Sequence, residues 1–549
     1  MNKLPSYDAR TSTLDRVLRD RGQQWGDKTF LNWLPTGATM SYRQLDELTL
    51  RVGSGLAAAG VEAGSHVGVL MENCPEQLLA ILGPARCGFV SVPLNAAAKG
   101  QLLAYFLNHA DCTALIVEEA LLSRFLEASD MLPRVHHVFV VRPDRGEPQQ
   151  KPSPIDAVGE HVMHEFEGLL DAPAQLPDDA PAFNELAMLL FTSGTTGPSK
   201  AIMYTHAHFI YWGSDVAFHH EYTPHDIAYV FLPLFHGNAL LGSTMGSLMA
   251  GASIALTHRF SVSKFWEHIR NSGATVFNGV GAVTNYLWKQ APSSSDLDHQ
   301  VRRCHLAPVP GFAKGFEERF GMTIMSAFGL TDYCLGAAYN TKSRRDKLGS
   351  CGLPRAGIDL RVVDENDFDM APGEPGEIVM RNNNPWGASL GYYKQPEATA
   401  ASRRNLWFHT GDRGSIDADG YIWYTDRIKD AIRRRGENIS AFEVEEVIRT
   451  YPAVSDVAVY PVRAETSEDE VAVTVTLKPG AKANFSYESL LEYCSHNLAY
   501  FMVPRYVQVA EEMPMTLSQK VEKYKLRREA ESDLSALWDR ERAGFTIAR

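Results

Sequence analysis

"LLFTSGTTGPSKAIMYTH", residues Leu189–His206, decides how the rest of the chain is read. An apolar run ends at Phe191 and gives way to small hydroxylated residues and glycines that lead to Lys200. Glycine has no Cβ, so the backbone turns tightly and its N–H groups come close to another molecule. Threonine and serine add hydroxyl donors, and the lysine adds a mobile point charge. Such a set of donors suits a polyphosphate. The run Leu186–Phe191 predicts a strand and a helix is expected from about Thr205, which would place the loop at a strand-to-helix junction of the kind that holds phosphates in α/β folds. The loop G-x-x-x-x-G-K-[ST] of kinases and ATPases is a different arrangement, because here Ser199 precedes Lys200 and Ala201 comes after it.

Outward from this loop, helical and strand signals alternate. Ser41-x-x-Gln44 predicts a capping box, with Leu45, Leu48, Val52 and Leu56 following at helical spacing. Strands are predicted at His66–Met71, Val90–Leu94 and Ala114–Val117, with a helix from about Pro75 to Cys87. The same alternation returns in "SIAL", "SVSKFWEHIRN" and "ATVFN". Repeated βα units imply parallel sheets covered by helices on both faces. A polar stretch from Pro143 to Pro181 reads as a surface connection containing a short helix. After Asp426 the pattern changes. A basic, glycine-containing ribbon is followed by a helix capped by Ser440-x-x-Glu443, two long strands and a helix near Ser486–Asn497. The expected fold is therefore α/β: a large region of packed parallel and mixed sheets over residues 1–426, and a small α+β domain over 427–549.

The composition narrows the function. The chain has 549 residues and is 45% hydrophobic and 22% charged, enough for a sizeable core. A net charge of −13 argues against a general nucleic-acid binder, which needs a basic face. Seven cysteines with no CxxC pair fit reduced thiols in the cytosol better than a disulfide framework. The start, "MNKLPSYDARTSTLDRVL", has no apolar core of a secretory signal, so a cytoplasmic protein is expected. Between Asp226 and Arg259 there is no charged residue, yet Pro233, Gly237, Asn238, Gly242 and Gly246 break the run. It predicts a core helix with small, close-packing faces rather than a membrane span. His219, His220 and His225 sit at an expected helix end and are read as dipole partners rather than metal ligands.

The opening loop resembles the signature of the AMP-forming adenylate superfamily, which includes acyl- and aryl-CoA synthetases. The resemblance implies that Thr192, Ser193, Gly194, Thr195, Thr196, Gly197 and Lys200 grip the β- and γ-phosphates of ATP. Further strings similar to the family's motifs appear in order over most of the chain. "SAFGLTD" (Ser326–Asp332) implies that Phe328 stacks on the adenine, Gly329 belongs to the cofactor site, Thr331 contacts the α-phosphate and Asp332 holds Mg²⁺. The family usually has glutamate at that last position, and aspartate keeps the hard oxygen ligand with one methylene less. "HLAPVPG" implies Ala307 and Pro308 along the base, and "HTGD" implies that Asp412 accepts hydrogen bonds from the ribose hydroxyls. "YTDRIKDAIRRRGENISAFEVE" resembles the family hinge and ribbon: Arg427 would reach ribose or phosphate, Lys429 would be the pivot, and Gly436 would line the tunnel for the CoA thiol. "PMTLSQKVEKYKLR" implies Lys520 as the catalytic lysine, with Gln519 in place of the usual glycine. "LPLFHGNAL" implies His236 beside the substrate carboxylate.

The activity implied is ATP-dependent activation of a small carboxylic acid with release of pyrophosphate, then transfer of the acyl group to CoA. Two alternatives stay open. The adenylate passes to a carrier protein or another nucleophile, or, as Asp332 and Gln519 suggest, the chain binds nucleotide without turnover. A homodimer is allowed. The expected pocket walls, His236–Gly242, Asn278–Tyr286 and Ala327–Cys334, are mostly small or apolar and suit a modest organic acid. The run of motifs is most similar to the carnitine/crotonobetaine–CoA ligase and medium-chain groups.

Overall fold

The computed structural model describes residues 8–146, 160–191, 199–427, 432–434, 437–439, 441–463, 469–498, 502–516 and 521–547. In the first sheet, His66–Leu70 lies between Val90–Leu94 and Cys112–Glu118, all parallel. These strands are nearly continuous apolar runs because helices cover both their faces. Helix Tyr42–Ala58 starts at the predicted capping box, in which Ser41 accepts from Gln44 N–H and the Gln44 side chain accepts from Ser41 N–H. It crosses helix Pro75–Arg86 at a contact that only glycine permits. A Cβ on Gly53 would lie 2.6 Å from the Gly83 carbonyl oxygen.

Strand Leu186–Phe191 joins this sheet, but the glycine-rich loop does not lead into a helix. Ala201–Thr205 is a strand antiparallel to Leu186–Phe191, and helix His206–His219 begins only after it, with Thr205 as its cap. The loop therefore connects a hairpin, which corrects the strand-to-helix expectation. The β-branched and aromatic residues of "AIMYT" favour that strand. Likewise the Pro143–Pro181 stretch contains the expected short helix, Glu167–Leu170, preceded by an edge strand Val162–Glu165 parallel to His137–Val141.

The second sheet carries the site. Val276–Val280, Arg303–Ala307 and Thr323–Gly329 run side by side and parallel, and Leu335–Tyr339 turns back against the last of them. Ile227–Val230, Ser253–Leu256 and Thr29–Trp33 extend it on the other side. The charge-free segment lies in the core. Its Asn238–Met245 forms a π-helix, continued by helix Gly246–Ala250. Helix His206–His219 contacts strands of both sheets, and the π-helix packs on Ile227–Val230 and Val276–Val280. No helix among the described residues is long and apolar enough to cross a membrane.

A third sheet, antiparallel, is built from Ile358–Val363, Gly376–Asn382, Phe408–Ile416 and Ile422–Arg427. The smaller C-terminal part has a ribbon, Ile432–Arg434 with Glu437–Ile439, and a sheet of Val454–Arg463, Asp469–Leu477, Tyr506–Ala510 and Trp538–Asp539. Helices Ala441–Arg449 and Tyr487–Asn497 contact each other, and the first lies on strand Val454–Arg463. The predicted cap Ser440 lies outside the described residues.

Candidate functional site

Ala307 and Gly329 end adjacent parallel strands, and Gly281 comes directly after the end of a third. The carboxyl ends of parallel strands are where open α/β sheets bind ligands. The Ala307–Pro308 peptide is cis, and a Cβ on Gly281 would meet the Pro308 ring at 3.8 Å. Beyond Gly329 the chain turns tightly, with Leu330 N–H donating to the Cys334 carbonyl. That turn presents Thr331 and Asp332.

Three neighbours fix the turn. Tyr204, on the strand after the glycine-rich loop, donates its hydroxyl to the Thr331 carbonyl at 2.6 Å. Ser389 donates to the Asp332 carbonyl at 2.5 Å. Tyr392 donates to Asp332 Oδ2 at 2.7 Å, and Lys200 Nζ lies 4.5 Å from the centre of the Tyr392 ring. The fold thus brings Lys200 and Asp332 to one tyrosine although 132 residues separate them (332 − 200). Burial, aided by the nearby Asp332 carboxylate, pushes the Tyr204 phenol well above its usual range, so it stays a donor. The segment that carries His236 passes close by. A Cβ on Gly237, the next residue, would sit 3.2 Å from Thr331 Oγ1, and the His236 carbonyl accepts from Leu240 N–H in the first turn of the π-helix.

Phe328 is buried in a cluster with Tyr333, Phe408 and Ile422, its ring 6.5 Å from that of Tyr424. Tyr333 stacks on Phe408 at 4.4 Å, which ties the Thr331–Asp332 turn to the strand bearing Asp412. Asp412 is 4% exposed, and its N–H donates to Thr410 Oγ1, whose hydroxyl donates to the Ile378 carbonyl. Gly411 has φ +68°, a conformation that favours glycine, and its N–H donates to Glu377 Oε1 while His409 Nδ1 lies 2.8 Å from Glu377 Oε2. Glu377 therefore shapes the "HTGD" turn. Asp412 pairs in register with Arg427 across two antiparallel strands. Burial, with the Asp412 charge, pushes the Cys351 thiol up to about 12.

Of the residues expected from sequence, Lys200, His236, Ala307, Pro308, Phe328, Gly329, Thr331, Asp332 and Asp412 are described. Lys200 reaches Tyr392, which holds Asp332, the residue after His236 approaches Thr331, and Asp412 joins through the Tyr333–Phe408 stack. Thr192 to Gly197, Lys429, Gly436, the Arg427 side chain and Lys520 lie outside the described residues. Next to Lys520, Met515 and Val521 bridge antiparallel, and Lys523 Nζ pairs with Glu445 at 2.8 Å. Tyr204, Glu377 and Tyr392 escaped sequence reading. Tyr392 alone carried a signal, an aromatic pair behind a glycine in "GYYKQ". The dipole reading of His219 is corrected: burial, Arg355 and Lys342 hold its pKa down to about 4, so it is neutral at the helix end.

Known families and proteins resemble this chain over most of its length. The AMP-binding enzyme profile matches residues 18–393, and the profile of the AMP-binding enzyme C-terminal domain matches 443–520. A sulfoacetate–CoA ligase of Cupriavidus necator is 30% identical over 527 residues, covering 94% of this chain and 97% of that protein. A crotonobetaine/carnitine–CoA ligase of Salmonella typhi is 26% identical over 521 residues, covering 94% and 98%. The ATP-bound MatB structure from Rhodopseudomonas palustris superposes with a TM-score of 0.82 at 24% identity, over 95% of this chain and 99% of that one, a likeness of fold.

Proposed function

This chain belongs to the AMP-binding enzyme family, and we propose that the residues gathered around Thr331 and Asp332 activate a small carboxylic acid. The protein is an AMP-forming acid–CoA ligase. ATP and the acid give an acyl-adenylate and pyrophosphate, and CoA then takes the acyl group as a thioester, releasing AMP. A carboxylate is a poor electrophile, and its attack on the α-phosphate brings two anions together. One cation facing one anion at about 4 Å offsets this by ~4 kcal/mol at an effective dielectric near 20. In our reading Lys520 supplies that charge. Thr331 orients the α-phosphate, His236 borders the carboxylate, and Asp412 takes the ribose.

The loop Thr192–Gly197 with Lys200 would hold the leaving pyrophosphate through amides, hydroxyls and one ammonium. Phe328, Gly329, Ala307 and Pro308 would flank the base, with Arg427 reaching ribose or phosphate. Asp332 fits a Mg²⁺ ligand: Oδ2 takes the Tyr392 hydroxyl, and Oδ1 has no partner among the described residues, leaving a hard oxygen for the ion. Bound there, Mg²⁺ would neutralise phosphate charge. For the thioester step, the domain 427–549 would turn about Lys429, and Gly436 would open the way for the thiol. Cytoplasmic CoA and ATP pools suit this chemistry.

The observation that carries the reading is the family match over both parts of the chain, 18–393 and 443–520. The test is incubation with ATP, Mg²⁺, CoA and mixed acids. Equal amounts of AMP and thioester are expected, and ADP as the nucleotide product would refute it.

A further inference from the structure

Behind the Thr331–Asp332 turn the second sheet has a polar floor. Asn278, His305 and Met325 are register partners on three adjacent parallel strands and so share one face. The other face, with Phe277, Cys304 and Ile324, is packed with apolar side chains. On the first face His305, Ala307 and Ala327 are only half-buried, although their strands lie inside the sheet. This face is therefore incompletely covered, and we read the gap beside it as a cleft. His305 stands two residues behind Ala307, about 6–7 Å deeper along the strand.

That floor carries hydrogen-bonding capacity the chain does not use. The His220 ring stacks on His305 at 4.1 Å, and none of the four ring nitrogens has a hydrogen-bond partner among the described residues, though all are buried. Burial keeps both rings neutral, so each keeps one N–H donor. Closer to the turn, the buried Asn238 Oδ1 likewise has no partner among the described residues. Asn238 Oδ1 and Asn278 Nδ2 lie 3.7 and 3.1 Å from the position of a Cβ on Gly242, so glycine keeps the space between them open. Tyr222 donates to Asn278 Oδ1 at 3.2 Å, and its ring lies 6.0 Å from His220. With Gly237 against Thr331, these groups form a polar track from the reacting end to the histidine pair. Each buried polar group left unpaired costs about 1–3 kcal/mol, so a run of them bordering a cleft calls for a polar occupant.

We propose that the acid accepted here is short and carries a second group with hydrogen-bond-accepting oxygens at the end remote from the reacting carboxylate, and that His305 and His220 recognise that group. The inference rests on reading this cleft as the acid pocket. A site built to hydrogen-bond a substrate rejects the hydrocarbon analogue, because its own donors would stay unpaired. The accepting oxygens belong either to a neutral carbonyl or to a second acid group.

The test uses the full chain with ATP, Mg²⁺, CoA and acids matched in skeleton at three lengths. The branched hydrocarbon acids are 3-methylbutanoate, 4-methylpentanoate and 5-methylhexanoate. Their keto partners are acetoacetate, 4-oxopentanoate and 5-oxohexanoate, and their diacid partners are malonate, succinate and glutarate. At one length at least, an oxygenated acid should exceed its hydrocarbon partner about tenfold or more in kcat/KM for thioester formation. The keto and diacid arms separate the two oxygen sources. His305→Leu and, separately, His220→Leu should abolish the preference while AMP formation from the hydrocarbon acids persists. His305→Asn, which keeps an N–H donor, should retain part of it. Melting temperatures of the variants report folding. Hydrocarbon acids used equally well or better at every length would overturn the inference and leave the ligase reading standing. No AMP from any acid would overturn both.

Discussion

The wall proposed to face the nucleotide and the floor behind it meet at the second sheet and treat their polar groups differently. On the wall, Asp332 is held by Tyr392, Thr331 by Tyr204 and the "HTGD" turn by Glu377. On the floor, His220, His305 and Asn238 keep buried nitrogens and an oxygen with no partner among the described residues. The difference teaches where specificity resides. In our reading the groups that handle phosphate are set in place by the chain itself, which keeps reorganisation small during the reaction. Groups that meet the acid are left to be satisfied by the molecule that binds.

The largest expected effect tests the reacting end. Lys520→Ala should lower carboxylate adenylation, read by pyrophosphate exchange, by ~10²–10³ or more, the scale for losing one transition-state electrostatic contact. Thioester formation from supplied acyl-adenylate should survive, and unchanged exchange would remove the lysine from the mechanism. Next, Gly436→Leu should spare adenylation and slow the thiol step by ~10², as expected when reacting groups are displaced by an ångström or so. Equal loss of both half-reactions would refute the tunnel role.

A smaller effect probes the pre-set wall. Tyr392→Phe removes the hydroxyl on Asp332 and should raise the Mg²⁺ concentration needed for half-maximal rate by about tenfold, with the plateau rate less affected. An unchanged Mg²⁺ curve would mean that the tyrosine only packs.

The least conspicuous effect concerns acid stability. Burial holds His305 and His206 down to about 4 and His208 to about 3. An unfolded chain takes up these protons near pH 6.5, which the folded protein refuses until about pH 4, so stability is lost as pH falls through that window. Each such histidine contributes a slope of about 1.4 kcal/mol per pH unit. His305→Phe should remove one proton from the slope, measured by denaturant unfolding between pH 4 and 6.5. An unchanged slope would mean that His305 is charged in the folded state.

Much was legible in the chain alone. Apolar runs of strand length, broken by glycines and capping residues, marked His66–Leu70, Val90–Leu94, Val276–Val280 and the capped helix Tyr42–Ala58, because these signals act between neighbours in sequence. The motif strings also named Lys200, Thr331 and Asp332, which the fold brings close together, and His236, whose neighbour Gly237 lies against Thr331. Sequence could not show that the glycine-rich loop closes a hairpin, since strand Ala201–Thr205 is fixed by pairing with Leu186–Phe191. Nor could it find Tyr392 on Asp332 or His220 on His305. Those contacts join residues 60 and 85 positions apart (392 − 332 and 305 − 220). Local pattern determined which elements form and which chemistry they carry. Sheet register and the packing of the two helices between the sheets decided which polar groups are satisfied and which await a ligand, because burial belongs to the assembled layers and not to any one segment.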